Sequence, residues 1–464
     1  METLQRTANR GSISTGYDID NSLKLEADNT ETMQRTSGSI GTPTSTQKAT
    51  ISAWVKRTEL QSSGNGIVWI GNAGAVSTIL GFNNDRLDAN TSISGGFNLK
   101  STPVFRDTSA WYHIVWAFDT TQATAANRVK LYVNGVQIED FDTETYPNQN
   151  NDIGLYEINM SHYIGWIDAQ SQSGYYAEIY LIDGQQLAPT DFGEFDDNSG
   201  IWKPKAYTGT FGNEGYYIDF EDSSALGADV SGNSNNFTAL YNITAADQAT
   251  DTPTNNFATF NPLLPNSSEK EGATVFINPD PGADTNLSTI AVGNGKWYAE
   301  FKASSDISGD NGMVGVAANS GDSIAGRFLG QDAWSVGLLT NGSYYINSSA
   351  TSYLGTTFNQ DIISVALDMD NKKVYFAKNG TWGNSGNPAT GTNGIALPSA
   401  YEDYEWFIGT SLVLNTATYD GNYGGYTVIS IASGNTDANG YGTFEYAPPS
   451  GYYALCTKNL AEFG

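Results

Sequence analysis

Histidine and cysteine are nearly absent from this chain: there are two histidines and one cysteine in 464 residues. A single cysteine excludes a disulfide framework and any multi-cysteine zinc site. Two histidines leave little room for a His-rich metal site, and no Ser-His-Asp order stands out around either. Positive charge is scarce too, with Lys+Arg 22 against Asp+Glu 50 and a formal net charge of -28. Such a surface does not neutralise phosphates, so nucleic acid is excluded as a general partner. No apolar run reaches the roughly 18 residues of a membrane helix, and no membrane insertion is expected. The start, METLQRTANRGSISTGYDIDN, has no apolar core and no small-residue cleavage site, so no secretory signal is read there.

Aromatics and glycine are plentiful: 12% aromatic residues, 27 tyrosines and 50 glycines. With so few charges, the chain has the means to build cores and is not expected to be disordered. Two or three domains suit its length, at roughly 100–200 residues each. Period-2 runs recur and long helical patterns do not. Residues 111–118 (WYHIVWAF) read as a strand buried on both faces. In residues 129–133, Val129, Leu131 and Val133 alternate with Lys130 and Tyr132. Asn134-Gly135 follows, a hairpin signal because both turn residues need positive φ. Trp297, Ala299 and Phe301 alternate with Tyr298, Glu300 and Lys302. Residues 362–367 and 373–377 read as paired strands, with Asn379-Gly380 as the next turn. The class is all-β, with β-sandwiches as the architecture.

The composition divides the chain. Residues 1–19 form a polar N-terminal arm, and residues 20–195 carry one set of strands. Residues 196–254 are an irregular Asn/Asp/Gly-rich linker, and a second β region fills 255–464. The first region resembles a laminin-G-like, concanavalin-A-like sandwich. The resemblance rests on residues 21–28 (NSLKLEAD), 50–57 (TISAWVKR), 111–119 (WYHIVWAFD), 129–136 (VKLYVNGV) and 164–183, closing with GQQLAPTDFGEF. The second resembles a SPRY domain through residues 295–301 (GKWYAEF), 313–317 (MVGVA), 361–370 (DIISVALDMD), 374–380 (VYFAKNG), 406–409 (WFIG) and 444–456 (FEYAPPSGYYALC). These resemblances imply two tandem concanavalin-A-like, jelly-roll sandwiches. The tandem is similar to virion proteins of tailed bacteriophages, among them tail fibre and structural proteins.

Concanavalin-A-like glucanases carry an E-I-D-I-x-E type run, and residues 178–183 (EIYLID) resemble it. Glu178 matches the first carboxylate, while Tyr180 replaces the middle Asp and Asp183 the last Glu. Residues five apart in a regular strand point to opposite faces, so only a bulge brings these carboxyls together. Asp183-Gly184 reads as a turn, and no catalytic residue is assigned. His113 and His162 read as strand or edge residues, and Cys456 as a small buried apolar one. Calcium is the one cofactor the laminin-G resemblance allows. Asp222, Asp229, Asn233 and Asn235 crowd the linker, and Asp168 and Asp183 flank a Tyr-rich loop, but no spacing approaches the EF-hand pattern. Their default reading is Asx-rich turns.

Aromatic loops are the expected binding feature, since rings with a polar handle suit contact surfaces. Tyr419, Asp420, Asn422, Tyr423 and Tyr426 form the segment TYDGNYGGY, Trp166, Tyr175 and Tyr176 frame a loop in the first region, and Tyr344 and Tyr345 adjoin Asn341-Gly342. The expectation is a non-enzymatic virion surface protein of the tail fibre or adhesin type, assembled in the host cytoplasm. It would bind host-surface polysaccharide, contact other virion proteins and form a homo-oligomer. The alternatives are a structural head or tail decoration protein and a polysaccharide depolymerase.

Overall fold

The Asn134-Gly135 and Asn379-Gly380 pairs turn the chain as the sequence requires. In the computed structural model, Asn134 and Gly135 have φ of 48° and 79°, and Asn379 and Gly380 have 46° and 77°. The described residues are 16–464, apart from 28, 61–64, 73–74, 158, 168–169, 172, 198, 266–267, 279–281, 308–311, 322–323 and 414–416. They divide between Thr254 and Asn255 into two units.

The first unit is a sandwich of two eight-stranded sheets. One sheet runs Val136–Gln137, Val129–Val133, Trp111–Asp119, Lys48–Arg57, Gly174–Asp183, Ser22–Leu25 and Gln248–Ala249, with Tyr216–Ile218 paired to Gly174–Asp183. The other runs from Phe141–Thr145 through Asn98–Val104, Arg86–Thr91, Ala75–Asn83, Asn65–Asn72, Ser161–Ile164 and Thr32–Arg35 to Thr238–Leu240. Leu23, Leu25, Ile51, Trp116 and Leu131 meet Val68, Leu80, Leu87 and Leu99 between them. Alternation is visible wherever one face is wet: Val129, Leu131 and Val133 are buried, while Lys130 and Tyr132 are half-buried.

Trp111–Asp119 is buried along its whole length, as expected. Tyr112, Ile114, Trp116 and Phe118 face the sandwich core. On the outer face, Val115 packs with Tyr180, Ile182 and Phe192, and His113 lies against Trp202. That cover comes from the chain after residue 184, which corrects the linker reading of 196–254. Trp202–Pro204 pairs with Gly193–Phe195, Tyr216–Ile218 with Gly174–Asp183, Thr238–Leu240 with Thr32–Arg35, and Gln248–Ala249 with Ser22–Leu25. Polar, glycine-rich composition concealed these strands because each is two or three residues long.

The second unit has a nine-stranded and a six-stranded sheet. Trp297, Ala299 and Phe301 point inward to Val314, Val316 and Ile408. Tyr298 points the other way, under Phe444, Tyr452 and Cys456 of the C-terminal segment. Glu300 on that outer face fastens the segment, accepting the Glu445 and Tyr446 amides at 2.9 and 2.8 Å and the Tyr298 hydroxyl at 2.9 Å.

Candidate functional site

The TYDGNYGGY segment is not an exposed loop. Residues Thr418–Asn422 form a strand between Val275–Ile277 and Lys296–Ala303. Tyr419 and Tyr423 are each 1% exposed and belong to the core. Asn422 is buried, with its amide on the Thr443 carbonyl at 2.8 Å and its oxygen on the Gly424 amide at 2.9 Å. Asp420 accepts the Ser304 hydroxyl at 3.0 Å, and burial pushes its carboxyl up to about 6. Tyr426, Tyr344 and Tyr345 are half-buried. In the first unit, Tyr175 and Tyr176 are buried on opposite faces of Gly174–Asp183, Tyr176 in the core and Tyr175 between Lys24 and Lys56 of the neighbouring strands. Trp166 opens the short strand Trp166–Ile167, but its side chain, like all of Asp168, lies outside the described residues. The loop reading is thereby corrected for Tyr175, Tyr176, Tyr419, Asp420, Asn422 and Tyr423. Their alternation with small residues belongs to strands whose two faces are both covered.

The linker residues considered for calcium spend their polar groups mostly on the main chain, with Asn235 Oδ1 also accepting Arg35 at 2.7 Å. Asp222 accepts Ser224, and Asp229 accepts the amides of Tyr217, Ser231 and Asn235. Asn233 and Asn235 donate to the Gly215 carbonyl.

His113 illustrates how a Ser-His contact differs from a catalytic dyad. Its Nε2 lies 2.8 Å from Ser52 Oγ, and Trp202 Nε1 donates to its Nδ1 at 3.0 Å. An indole only donates, so Nδ1 carries no proton and Nε2 donates to the serine. Burial holds this imidazole near 3, too low to act as a base at neutral pH. His162 is held near 3 by burial and the charge of Arg35, and its Nε2 meets the Leu155 carbonyl at 2.8 Å. Burial pushes the Cys456 thiol up to about 12.

Gly174–Asp183 does contain a bulge, between the pairings of Ala177 and Tyr180, where Glu178 has φ 52°. It falls at Glu178 itself, so the residues after it alternate regularly and the two carboxyls keep separate partners. Asp183 accepts the amides of Thr44, Ser45 and Glu214. Glu178 accepts Tyr180 at 2.5 Å, Tyr217 at 2.7 Å and Tyr17 at 2.7 Å, while Tyr17 and Tyr217 lie 2.9 Å apart. These are four short O···O contacts served by three phenolic protons. Burial raises the Glu178 pKa from the ordinary 4.5. Such a group stabilises the fold fully below its unfolded pKa and loses that contribution as pH rises toward its folded value. Unfolding free energy measured against pH should therefore fall less steeply above pH 4.5 in Glu178→Gln than in the wild type. Parallel curves would remove Glu178 from this account.

The site with groups left over for a ligand lies in the second unit. Lys373–Lys378 turns at Asn379-Gly380 into Thr381–Trp382, which pairs back onto Ala377 and Lys378. The chain then passes through Asn384 and Ser385, both left-handed at φ 50° and 51°. Facing it is the segment after Ser349–Ser352, and the Asn384 amide joins the two walls through the Tyr353 carbonyl at 2.9 Å. Gly383 permits this approach: a Cβ there would lie 2.4 Å from the Tyr353 ring. Between the walls is an open cleft of about 630 Å³, lined among others by Trp382, Ser352, Thr381, Asn384 and Ser385. That volume is in the range of small-molecule sites. Trp382 is half-buried, edge-on to Tyr375 at 6.5 Å. Among the described residues, no side-chain hydrogen bond is made by Ser352, Thr381, Asn384 or Ser385, and all four are exposed. Lys378 at the rim is engaged by Asp361 at 3.0 Å and the Thr357 carbonyl at 2.7 Å. Sequence reasoning located the Asn379-Gly380 turn but passed over Trp382, two residues beyond it.

The concanavalin A-like lectin/glucanases superfamily profile matches residues 28–173, and the SPRY domain profile matches residues 296–389. The chain therefore carries a concanavalin A-like domain followed by a SPRY domain. Among curated proteins none matches the chain. Of solved structures, the SPRY domain of human HERC1 is 17% identical, with 35% of this chain and 96% of that one covered and a TM-score of 0.29. The TRIM65 PSpry domain is 12% identical over 35% of this chain and 90% of its own, with a TM-score of 0.27. Stonustoxin is 15% identical over 36% of this chain and 27% of its own, with a TM-score of 0.27.

Proposed function

We propose that this chain is a non-enzymatic recognition protein of a phage virion surface, and that it holds host-surface glycan in the cleft around Trp382. The observation that carries this reading is a half-buried indole flanked by four exposed polar side chains that make no side-chain hydrogen bond among the described residues. Flat aromatic faces take up the C–H patches of sugar rings, and amides and hydroxyls take up their hydroxyl groups. Lys378 is committed to Asp361, and the net charge of -28 repels polyanions, so neutral glycans suit the cleft better than acidic ones. Several copies on one particle would turn weak single-site binding into avidity.

Screening the purified full chain against neutral and acidic polysaccharides, with and without calcium, tests the reading. Selective binding to neutral glycans is expected. Trp382→Ala should weaken it roughly tenfold or more, while the melting temperature stays close to that of the wild type. Silence of the wild type, or undiminished binding by the variant, would sink the proposal. The decoration alternative draws on a different observation: Val136 and Phe195 are 58% and 49% exposed. Phe195 stands edge-on to Trp202, and Gly135 closely approaches the same ring.

A further inference from the structure

On the outer face of the first sheet, four strands place Lys24, Tyr175, Lys56 and Trp111 in one cross-strand row. The chain covering this row brings one aspartate to each lysine: Asp247 to Lys24 at 2.8 Å and Asp251 to Lys56 at 2.6 Å. The two pairs differ in their third member. Asp251 has the Trp111 indole N–H, at 3.1 Å. Lys24 has a second carboxyl, Glu31, with Oε2 at 3.2 Å from its Nζ. The side chains of Lys24, Glu31 and Asp247 are 1%, 2% and 9% exposed.

We propose that Lys24 and Asp247 are joined by a self-formed isopeptide bond, with Glu31 relaying the proton. An ammonium and two carboxylates without water are costly to hold as ions. An amide beside a neutral Glu31 removes the charges of all three of these groups. Burial raises the Glu31 pKa, as a group that must hold and pass on a proton requires. The Asp247 carboxyl is oriented before reaction: Oδ2 accepts the Thr244 amide at 2.8 Å, leaving Oδ1 toward Lys24. Ser22 and Leu23 pair with Ala249 and Gln248, which fixes both backbones. A nitrogen so close to one carboxyl oxygen is near the roughly 3–3.5 Å approach from which attack on the carbon proceeds.

The reaction needs no partner from outside. The lysine ammonium gives its proton to the Asp247 carboxylate, and the free amine attacks the carboxyl carbon. Glu31 protonates the departing oxygen and takes the proton from the nitrogen. One C–N bond forms, one C–O bond breaks, a water leaves, and nothing is oxidised or reduced. At Lys56–Asp251 an indole N–H stands where this relay would be, and that pair stays ionic.

Mass spectrometry of the folded, full-length chain, denatured just before measurement, decides the matter. The chain should be lighter than its sequence by one water. A tryptic digest should hold a branched peptide joining the segments of Lys24 and Asp247, uncut after Lys24. Glu31→Gln should return the unbranched peptides. Asp247→Asn should still link, losing ammonia instead of water and ending at the wild-type mass, so a misfolded Glu31 variant does not leave the question open. Full sequence mass and normal cleavage after Lys24 in the wild type overturn the bond. Linking in Glu31→Gln overturns the relay.

Discussion

Tyr423→Ala should destabilise the second unit by about 3–5 kcal/mol, the range for removing a large aromatic from a packed core. The ring is 1% exposed and stands edge-on to Phe260 at 5.9 Å and Phe301 at 5.5 Å. Its hydroxyl donates to the Ile408 carbonyl across the sandwich at 3.2 Å. Alanine leaves a cavity between the sheets, and that carbonyl keeps the Ser288 amide at 2.8 Å as its donor. Phenylalanine keeps the packing and loses only the hydrogen bond, at about 1 kcal/mol. Denaturant unfolding of the full chain, followed by a probe in residues 255–464, reads both. If Tyr423→Ala kept wild-type stability and lost glycan binding, Tyr423 would be a ligand contact after all and the Trp382 cleft would be the wrong place. A binding defect that accompanies unfolding carries no such meaning.

Lys56→Met should cost the first unit a similar amount, about 3–5 kcal/mol, because it leaves a buried aspartate without its cation. Lys56 and Asp251 are 0% and 1% exposed. Asp251 also ties down the chain around it, since its carbonyl accepts the Ser22 hydroxyl at 2.6 Å. Adding Asp251→Asn to Lys56→Met should recover most of the loss, because the penalty belongs to the stranded charge and not to the missing contact. The comparison is one of unfolding free energies at fixed pH. A double variant as unstable as the single one would mean that Lys56 acts by packing, with its methylene stem against Tyr175, whose ring centre lies 5.7 Å from Nζ.

The sequence disclosed much of the fold, for local reasons. An Asn-Gly pair between β-type runs can meet its turn through intrinsic tolerance of positive φ, and Asn134-Gly135 and Asn379-Gly380 did so. The strands of residues 111–119 and 362–378 follow from composition and alternation alone. The candidate site was less legible. Alternation tells which side chains share a face and says nothing of what covers that face. Tyr175 and Tyr419 carry the marks of exposed recognition rings, yet each faces a second layer supplied from far along the chain. Trp382 carries no such mark, because its half-exposure comes from a tight hairpin meeting a segment of the other sheet.

What residues 196–254 do was likewise decided only in three dimensions. Their short strands are too brief to have a period, so their pairing with Gly174–Asp183, Thr32–Arg35 and Ser22–Leu25 depends on edges that exist only once the sheets have formed. The sequence by itself determined the all-β class and the turns, since these rest on residue type and near neighbours. The tertiary structure alone decided that Glu178 meets three tyrosines, that Lys24 meets Asp247 and that Trp382 opens on a cleft. Apart from Tyr180, two residues from Glu178, those partners are separated by tens to hundreds of residues, and their meeting is fixed by strand register and layer packing.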